Sequence, residues 1–595
     1  MQQVMVRGKK FRQKILKQPS KYLLILGLLG LTLLRLVLSV KAAYYVNLFA
    51  GYDDQLFINQ GNELLRGHWL GDYTTRTLSK GISYPLFMAL GNKFHLSYGI
   101  FLGLFNILAS SVSALALRPL IKNRWLIASI YSFFLYSPVT FTGEYSTRIY
   151  RNTIVVPAVF LVLGCLVGLY FRRKEKLKIF APWSIGLSLI FPFYWYIRED
   201  SLWLLPLLVV GLLIIASAVL FENTRELKLN KPLLVVLKRI KIRQSQLIKL
   251  LLCILPFILL LTTHSVLKSL NEDHYGIPVV NDRTGGAFGQ VSKQLIRMDD
   301  GTDLNETNSK IWVSRKALDK AEAVSPTLKT ISKKIDWIYH GSTWSKGEDI
   351  AGDIIFWALR EAAAQAGYYR DGKKTEAFWQ KVNTELANAY KKKQLTKKKE
   401  IYLTATGDGK HLKDFPLVGE FMKSGWDYNV FYKGYRQAND TTVGPEEEVL
   451  LAEQLLHHSF SNNWRDSNKS NPKPIELTKA AKISNIVIRI YQKIVPLWLI
   501  VFSIGFLLIL FGSFFSKSNS STFRGLLLLI TGLSLSYVIF LIGVSWFCSW
   551  APERRDLFMM VYTGGGVPVI QWIEVLALVG IFQLPRIASK VNKKS

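Results

Sequence analysis

Cysteine is nearly absent: the chain has three in 595 residues. Cys165 and Cys253 fall inside apolar runs, Cys548 near the end of another, and the polar stretch 268–488 has none. A disulfide-built domain is therefore excluded there, and without a Cys-x-x-Cys spacing so is a zinc ribbon. Acidic residues are also scarce, 42 Asp and Glu against 75 Lys and Arg, for a net charge of +33. In a soluble chain that excess would suggest nucleic acid. Here much of it gathers in short clusters beside apolar runs, where it sets topology and meets anionic membrane lipid, so no nucleic-acid partner is expected. No small-residue cleavage site follows the basic N-terminus and first apolar run, which therefore reads as an uncleaved helix. Internal repeats are missing. Gly285-Gly286-Ala287-Phe288-Gly289 does not sit between a strand and a helix as a nucleotide loop would. His457-His458 lacks the spaced partners of a metal site.

What is abundant is apolar sequence. Half of the residues are hydrophobic and 13% aromatic, yet 20% are charged, so the average hides two kinds of segment. About 20 mainly apolar residues cross about 30 Å of hydrocarbon. Ten runs qualify: 22–40, 96–118, 125–141, 152–171, 180–197, 201–221, 249–267, 489–513, 525–547 and 558–585. Residues 1–21 carry seven Lys and Arg, which sets the N-terminus in the cytoplasm. Ten spans then bring Arg118/Lys122/Arg124, Arg172–Lys178, the basic stretch 225–249, Lys517/Arg524 and the tail Arg586–Lys594 to that same side. The expectation is an α-helical polytopic protein of the cell membrane, with both termini cytoplasmic. An N-terminal membrane module (1–267) precedes an extracytoplasmic domain (268–488) and a C-terminal module of three spans (489–595). Few cysteines and abundant lysine favour a bacterial source.

The insert 268–488 is polar and mixed in charge. Its stretches 350–367 and 374–391 have the periodicity of amphipathic helices. The Pro- and Gly-punctuated pieces 275–290 and 404–418 read as loops or short strands. A mainly helical or α+β domain is expected. The run Lys391–Lys399 reads as a solvated charged segment or a helix end, Asp299-Asp300 as a solvated loop, and Asn305-Glu306-Thr307 as a chance acceptor sequon.

Charged clusters lie where outer turns are expected. Gly51-Tyr52-Asp53-Asp54 follows the first span and precedes a helix over Gln55–Arg66. Two adjacent carboxylates repel, so one retains a proton more easily and suits a general base, provided a basic group tunes it. A helix N-cap explains the same residues as well. Glu144, Arg148, Tyr150 and Arg151 lie between the third and fourth spans, Arg198-Glu199-Asp200 in the turn between the fifth and sixth, and Glu553-Arg554-Arg555-Asp556 before the last. Arginine at the headgroup level holds a phosphate through paired hydrogen bonds. It also anchors span ends by snorkelling. Three charges in so short a turn as 198–200 must face a polar cavity or one another.

The order Tyr52-Asp53-Asp54, helix, Leu64-Leu65-Arg66-Gly67-His68-Trp69, then Lys80-Gly81-Ile82-Ser83-Tyr84-Pro85-Leu86 resembles the first outer loop of GT-C fold glycosyltransferases. These are membrane enzymes that use polyprenyl-phosphate sugars, the group that includes protein O-mannosyltransferases and aminoarabinose transferases. The resemblance is clear over the first outer loop and looser over the whole layout. It implies that Asp53 or Asp54 acts as base on the acceptor, that Lys80 occupies the basic position before the proline, and that a second acidic cluster (Glu144, Glu199, Asp200) joins the site. Lys80, Arg151, Arg198, Arg554 and Arg555 are then the candidates for the donor phosphate. The donor is activated by its own phosphate, so no cofactor is expected to be required. A divalent cation, Mg or Mn, would enter only if the second acidic cluster joined Asp53 around it.

The expected activity is an inverting transfer of a hexose or pentose to an extracytoplasmic acceptor, whether cell-wall glycan, teichoic acid, lipid or protein. A lipid-linked-sugar flippase would share the spans and arginines but predicts two related halves and charges at mid-membrane. The charges here gather instead at span ends. A surface-glycan polymerase or ligase is a third reading.

Overall fold

A computed structural model describes residues 19–224, 243–301, 310–345, 347–404, 407–438, 440–460, 464–465, 477–515 and 520–583. The fold is mostly helical. Nine of the described helices are long and apolar enough to cross a membrane: Pro19–Val40, Tyr98–Ala116, Asn152–Arg172, Leu177–Trp195, Ser201–Leu220, Gln244–Tyr275, Lys479–Phe515, Ser520–Cys548 and Pro552–Ile581. Three of the expected basic clusters, in 1–18, 225–242 and 586–594, lie largely or wholly outside the described residues, as do Lys517 and the sequon at Asn305.

The expected third span is the exception. Its helix runs only Arg124–Leu135, about 18 Å at the α-helical rise and short of the hydrocarbon thickness. It is continued by a 3₁₀ turn, Pro138–Phe141, and a single α turn, Gly143–Ser146. Pro138, placed where a helix starts rather than continues, ends the regular helix before the crossing is complete.

Contacts define the two ends of the bundle. At one, Arg172 donates to the carbonyls of Leu115 (2.8 Å) and Ala116 (3.0 Å), and Gln583 to that of Leu120 (3.2 Å). At the other, Tyr98 meets Tyr84 (3.0 Å) and Thr153 (2.7 Å). Asn123 belongs to the first end and Arg148 to the second, so the broken third segment still carries the chain across. The loops 41–97, 142–151 and 196–200 therefore share one end.

Asn152–Arg172 is apolar all round and sits at the centre, 94% of its apolar window buried. Pro19–Val40 and Lys479–Phe515 have only 17% of theirs buried and present leucine, isoleucine and phenylalanine outward, as a lipid-facing helix does. Small residues let helices approach closely: a side chain on Gly505 would meet the Ala577 carbonyl at 2.3 Å.

The polar insert divides between two cores. The described residues of 277–395 form a helical unit around Trp312, Trp379, Phe288 and Leu359, closed by Leu70, Tyr73 and Leu78 of the first outer loop and by Trp550. The expected amphipathic helices are there, as Ile354–Gln365 and Gly372–Lys391. Residues 421–460 join the membrane-helix core instead, with Phe421, Tyr432 and Val449 buried in it. The pieces expected as loops or strands partly become helix: Gly286–Ile296 and Phe415–Val430 start within them. A two-stranded sheet pairs Thr442–Val443 with Trp464–Arg465, and isolated β-bridges join Tyr45 to Arg148 and Asn47 to Val443. Asp300, expected to be solvated, is buried and accepts the Ser314 hydroxyl that caps the next helix.

Candidate active site

The first outer loop leaves Pro19–Val40 and turns at Gly51 into the helix Asp54–Arg66. Gly67 ends that helix in the left-handed region at φ 79°, where glycine carries no Cβ penalty. Asp53 stands at the N-cap position, yet its side chain makes no capping bond. It reaches Lys80 and Tyr150 instead. The Lys80 ammonium contacts Asp53 Oδ1, and the Tyr150 hydroxyl donates to the same oxygen at 3.0 Å. The Lys80 side chain is 7% exposed and the Asp53 side chain 41%, so the acid faces outward on a buried cation. Burial alone would raise the Asp53 carboxyl; Lys80 above all, with Arg151 and Arg148, overcomes it and holds the group at about 2. The carboxylate is thus ionised throughout the physiological range.

Asp54 points elsewhere. It is fully buried, bound by Arg148 through two nitrogens (2.9 and 3.3 Å) and by the Asn47 amide at 3.0 Å. Burial pushes its carboxyl above the ordinary value, against the pull of Arg148. Arg148 also pairs with Glu144 one turn before it, at 3.2 Å. The two acids expected to share one proton are therefore separated by their partners: Asp53 is open and acidic, Asp54 enclosed and structural.

The second acidic cluster is ordered by its own arginines. Arg151 binds both oxygens of Glu199 (2.9 and 3.0 Å). Burial opposes ionisation of Glu199, but Arg151, then Arg283 and Lys80, bring it down to about 2. Arg198 forms a two-pronged pair with Asp200 (2.8 and 2.9 Å), donates to Asn152 at 3.2 Å and lies 5.2 Å from the Tyr562 ring centre. This answers the expectation that the turn must face a cavity or itself: it does both. Arg151 and Arg198 come to the site already compensated by carboxylates.

Arg554 and Arg555 are not brought to this cluster. Arg555 pairs with Glu420 at 2.7 Å, and Arg554 is exposed on a 3₁₀ turn. Neither bonds Asp53, Lys80 or Arg151 among the described residues. For a divalent ion, carboxylates must converge without cations between them. Here Asp53, Asp54, Glu199 and Asp200 each face an ammonium or guanidinium. This donor set does not fit a divalent cation.

Beside Glu199 a cavity of about 430 Å³ opens between the turn 195–202, the helix Gln244–Tyr275 and the segment 278–286. Tyr196 and His264 bond across it at 3.0 Å, and Arg198 and Lys268 line it. Lys268 has no carboxylate partner there among the described residues. Hydropathy and motif reading do not single out His264, Lys268 or Arg283. The helix Gln244–Tyr275 runs past the expected end of its span at 267, and that extra length, visible as continued helix-forming sequence, carries Lys268 to the cavity. Arg283 pairs with Asp353 at 3.2 Å and stacks on Trp357 at 4.9 Å. Only the fold brings it near Glu199.

The insert is pinned to this end by a buried contact. Arg360 is wholly enclosed, binds Asp282 at 2.8 Å and donates twice to the Thr75 carbonyl (2.6 and 3.0 Å).

Comparison with known proteins finds no match: no family model fits the chain, and neither the curated proteins nor the solved structures include a significant relative.

Proposed function

We propose that this chain is an inverting membrane glycosyltransferase. It would move one sugar from a polyprenyl-phosphate donor to an acceptor hydroxyl on the extracytoplasmic side. The observation that carries the reading is the state of Asp53. A half-exposed carboxylate, held ionised by a buried lysine and a tyrosine, stands at the end of a lipid-facing bundle, at the end that also carries an Arg- and Lys-lined cavity.

Lys80 and Tyr150 occupy Oδ1 of Asp53 and leave Oδ2 for the acceptor. A carboxylate held near 2 is a weak base towards a resting alcohol. In glycosyl transfer that weakness is tolerable. As the new bond to the oxocarbenium-like carbon forms, the acceptor oxygen gains positive character and its proton becomes acidic. A permanently ionised Asp53 accepts that proton late and stabilises the positive charge on the sugar on the way. The donor's phosphate leaves with the electron pair of the broken C–O bond. Lys268, with Arg198, would face it from the cavity wall, and the polyprenyl chain would lie against the apolar flank of Gln244–Tyr275.

The test is transfer by the purified chain in lipid nanodiscs, using labelled polyprenyl-phosphate sugars. Asp53→Asn should retain folding and donor binding and lose transfer; full activity in that variant would remove the base assignment. Analysis of surface glycans in a deletion strain separates the readings: a missing substituent fits transfer, whereas accumulation of an unflipped lipid intermediate would favour a flippase.

A further inference from the structure

A second, larger cavity lies along the helix Asp54–Arg66 that Asp53 introduces. It measures about 1400 Å³ and runs from Gly51 and Gln55 to the insert at residues 370–373. Gln55 is already held between Glu448 (2.7 and 2.9 Å) and Arg76 (3.3 Å), while Asn59, Asn62 and Thr74 on its floor are neutral hydrogen-bonding side chains. These offer both donors and acceptors, the complement of a polyhydroxylated chain.

Three cations on its wall, Arg76, Arg370 and Lys373, have no carboxylate within ion-pair distance among the described residues. Two of them are held in place by their neighbours. The Arg76 guanidinium lies 4.7 Å from the Tyr52 ring centre, donates to the Gln55 side chain at 3.3 Å and passes so close to Gly51 that a Cβ there would sit 2.6 Å from its nitrogen. The Lys373 stem lies against Gly276 in the same way, 2.8 Å from where a Cβ would be. The opposing charges are fewer or engaged. Glu63 is paired with Arg66 and His68, and Asp371 caps the helix Gly372–Lys391; Asp72 remains, and Glu448 reaches the groove edge through Gln55.

We infer that this groove binds the acceptor, and that the acceptor is a hydroxylated polyanion, a glycan-like polymer bearing phosphodiester or carboxylate groups. The inference rests on the reading of Asp53 as the base of a sugar transfer. Neutral side chains would read the hydroxyls, and Arg76, next to the Tyr52-Asp53 step, would hold an anionic group one unit from the reacting hydroxyl. A groove open to solvent suits a polymer whose ends extend beyond it, and explains why hydroxyl-reading groups continue well past Asp53.

Fluorescence anisotropy on the full chain in nanodiscs tests it with three labelled probes: a poly(glycerol phosphate) oligomer, an oligogalacturonate and a dextran oligomer. At least one polyanion should bind more tightly than dextran, weaken with added salt, and lose about tenfold in affinity in Arg76→Gln, with partial recovery in Arg76→Lys. Preference between the polyanions names the anionic group. Dextran binding as tightly as either polyanion, absence of binding by both, or unchanged affinity in Arg76→Gln would overturn the inference. The same titrations in Asp53→Asn keep the two readings apart. Polyanion binding with transfer intact in that variant removes only the base, while loss of transfer with no polyanion binding removes only the groove.

Discussion

Lys80 and Asp53 meet through a single oxygen, Oδ1, with the cation buried and the acid open. That asymmetry has a pH consequence. Asp53 is depressed from 3.8 to about 2, so the pair's contribution is complete above the ordinary carboxylate value and is lost only as pH falls through about 2. Replacing Lys80 with Gln removes the charge that does most to offset burial, so the Asp53 carboxyl rises. The acidic limb of the pH–rate profile should then move up towards neutrality, with lower activity at pH 5 than at pH 8. An unchanged acidic limb in Lys80→Gln would show that Lys80 does not tune this acid.

Asp53 and Asp54 should respond differently to the same substitution. Asp53→Asn is expected to cost about 10²- to 10⁴-fold in kcat, the usual range for a positioned base, and to lower the melting temperature less than Asp54→Asn does, because its half-exposed amide oxygen still accepts from Lys80 and Tyr150. Asp54→Asn leaves Arg148 half-paired in a buried site, and breaking such a pair costs about 3–5 kcal/mol. Its signature is a lowered unfolding temperature in detergent. If the two variants gave the same pattern, the division into an open and an enclosed acid would fail.

The long apolar helices were readable from sequence because hydropathy acts over whole segments. The exception shows the limit. Residues 125–141 have the composition of a span, but Pro138 divides them into a short helix and a 3₁₀ turn. In the site, Asp53 and Lys80 were legible from the residue order of the first outer loop, and Arg151 and Glu199 as charges at span ends, where a charge needs a reason. Their partnering was not. That Tyr150 shares Asp53 with Lys80, and that Arg151 takes Glu199 while Arg198 takes Asp200, depends on where loops separated by tens of residues meet. Arg555 shows the same gap from the other side: it reads like Arg198 in sequence but finds Glu420 in space.

Lys268 is the cavity's cation without a carboxylate partner among the described residues, which gives it a separable role from the compensated arginines. Lys268→Ala should raise the KM for the polyprenyl-phosphate donor by about tenfold, the scale of one lost charge-assisted contact, and leave acceptor KM unchanged. Arg198→Ala should instead lower thermal stability, because it frees Asp200 and Asn152. Donor titration and thermal unfolding of both variants distinguish these outcomes, and a Lys268→Ala enzyme with unchanged donor KM would take the phosphate out of this cavity.

Arg360 makes the insert's position on the first outer loop dependent on one buried guanidinium. It binds Asp282 within its own unit and the Thr75 carbonyl across the boundary, so its loss strips Asp282, which keeps the Tyr73 hydroxyl, of its cation and leaves a backbone oxygen unmatched in the interior. Replacing it with Met keeps the apolar stem and removes the charge. The expected result is local opening: faster hydrogen exchange at 70–82 and 277–290, with the membrane helices unaffected. Because Arg76 and Lys80 lie on the released stretch, transfer should fall along with protection. Double replacement, Arg360→Met with Asp282→Asn, removes the stranded charge and should restore part of both. If exchange at 70–82 stays at its original rate in Arg360→Met, the apolar contacts of Tyr73 and Leu78, rather than this guanidinium, hold the insert over the site.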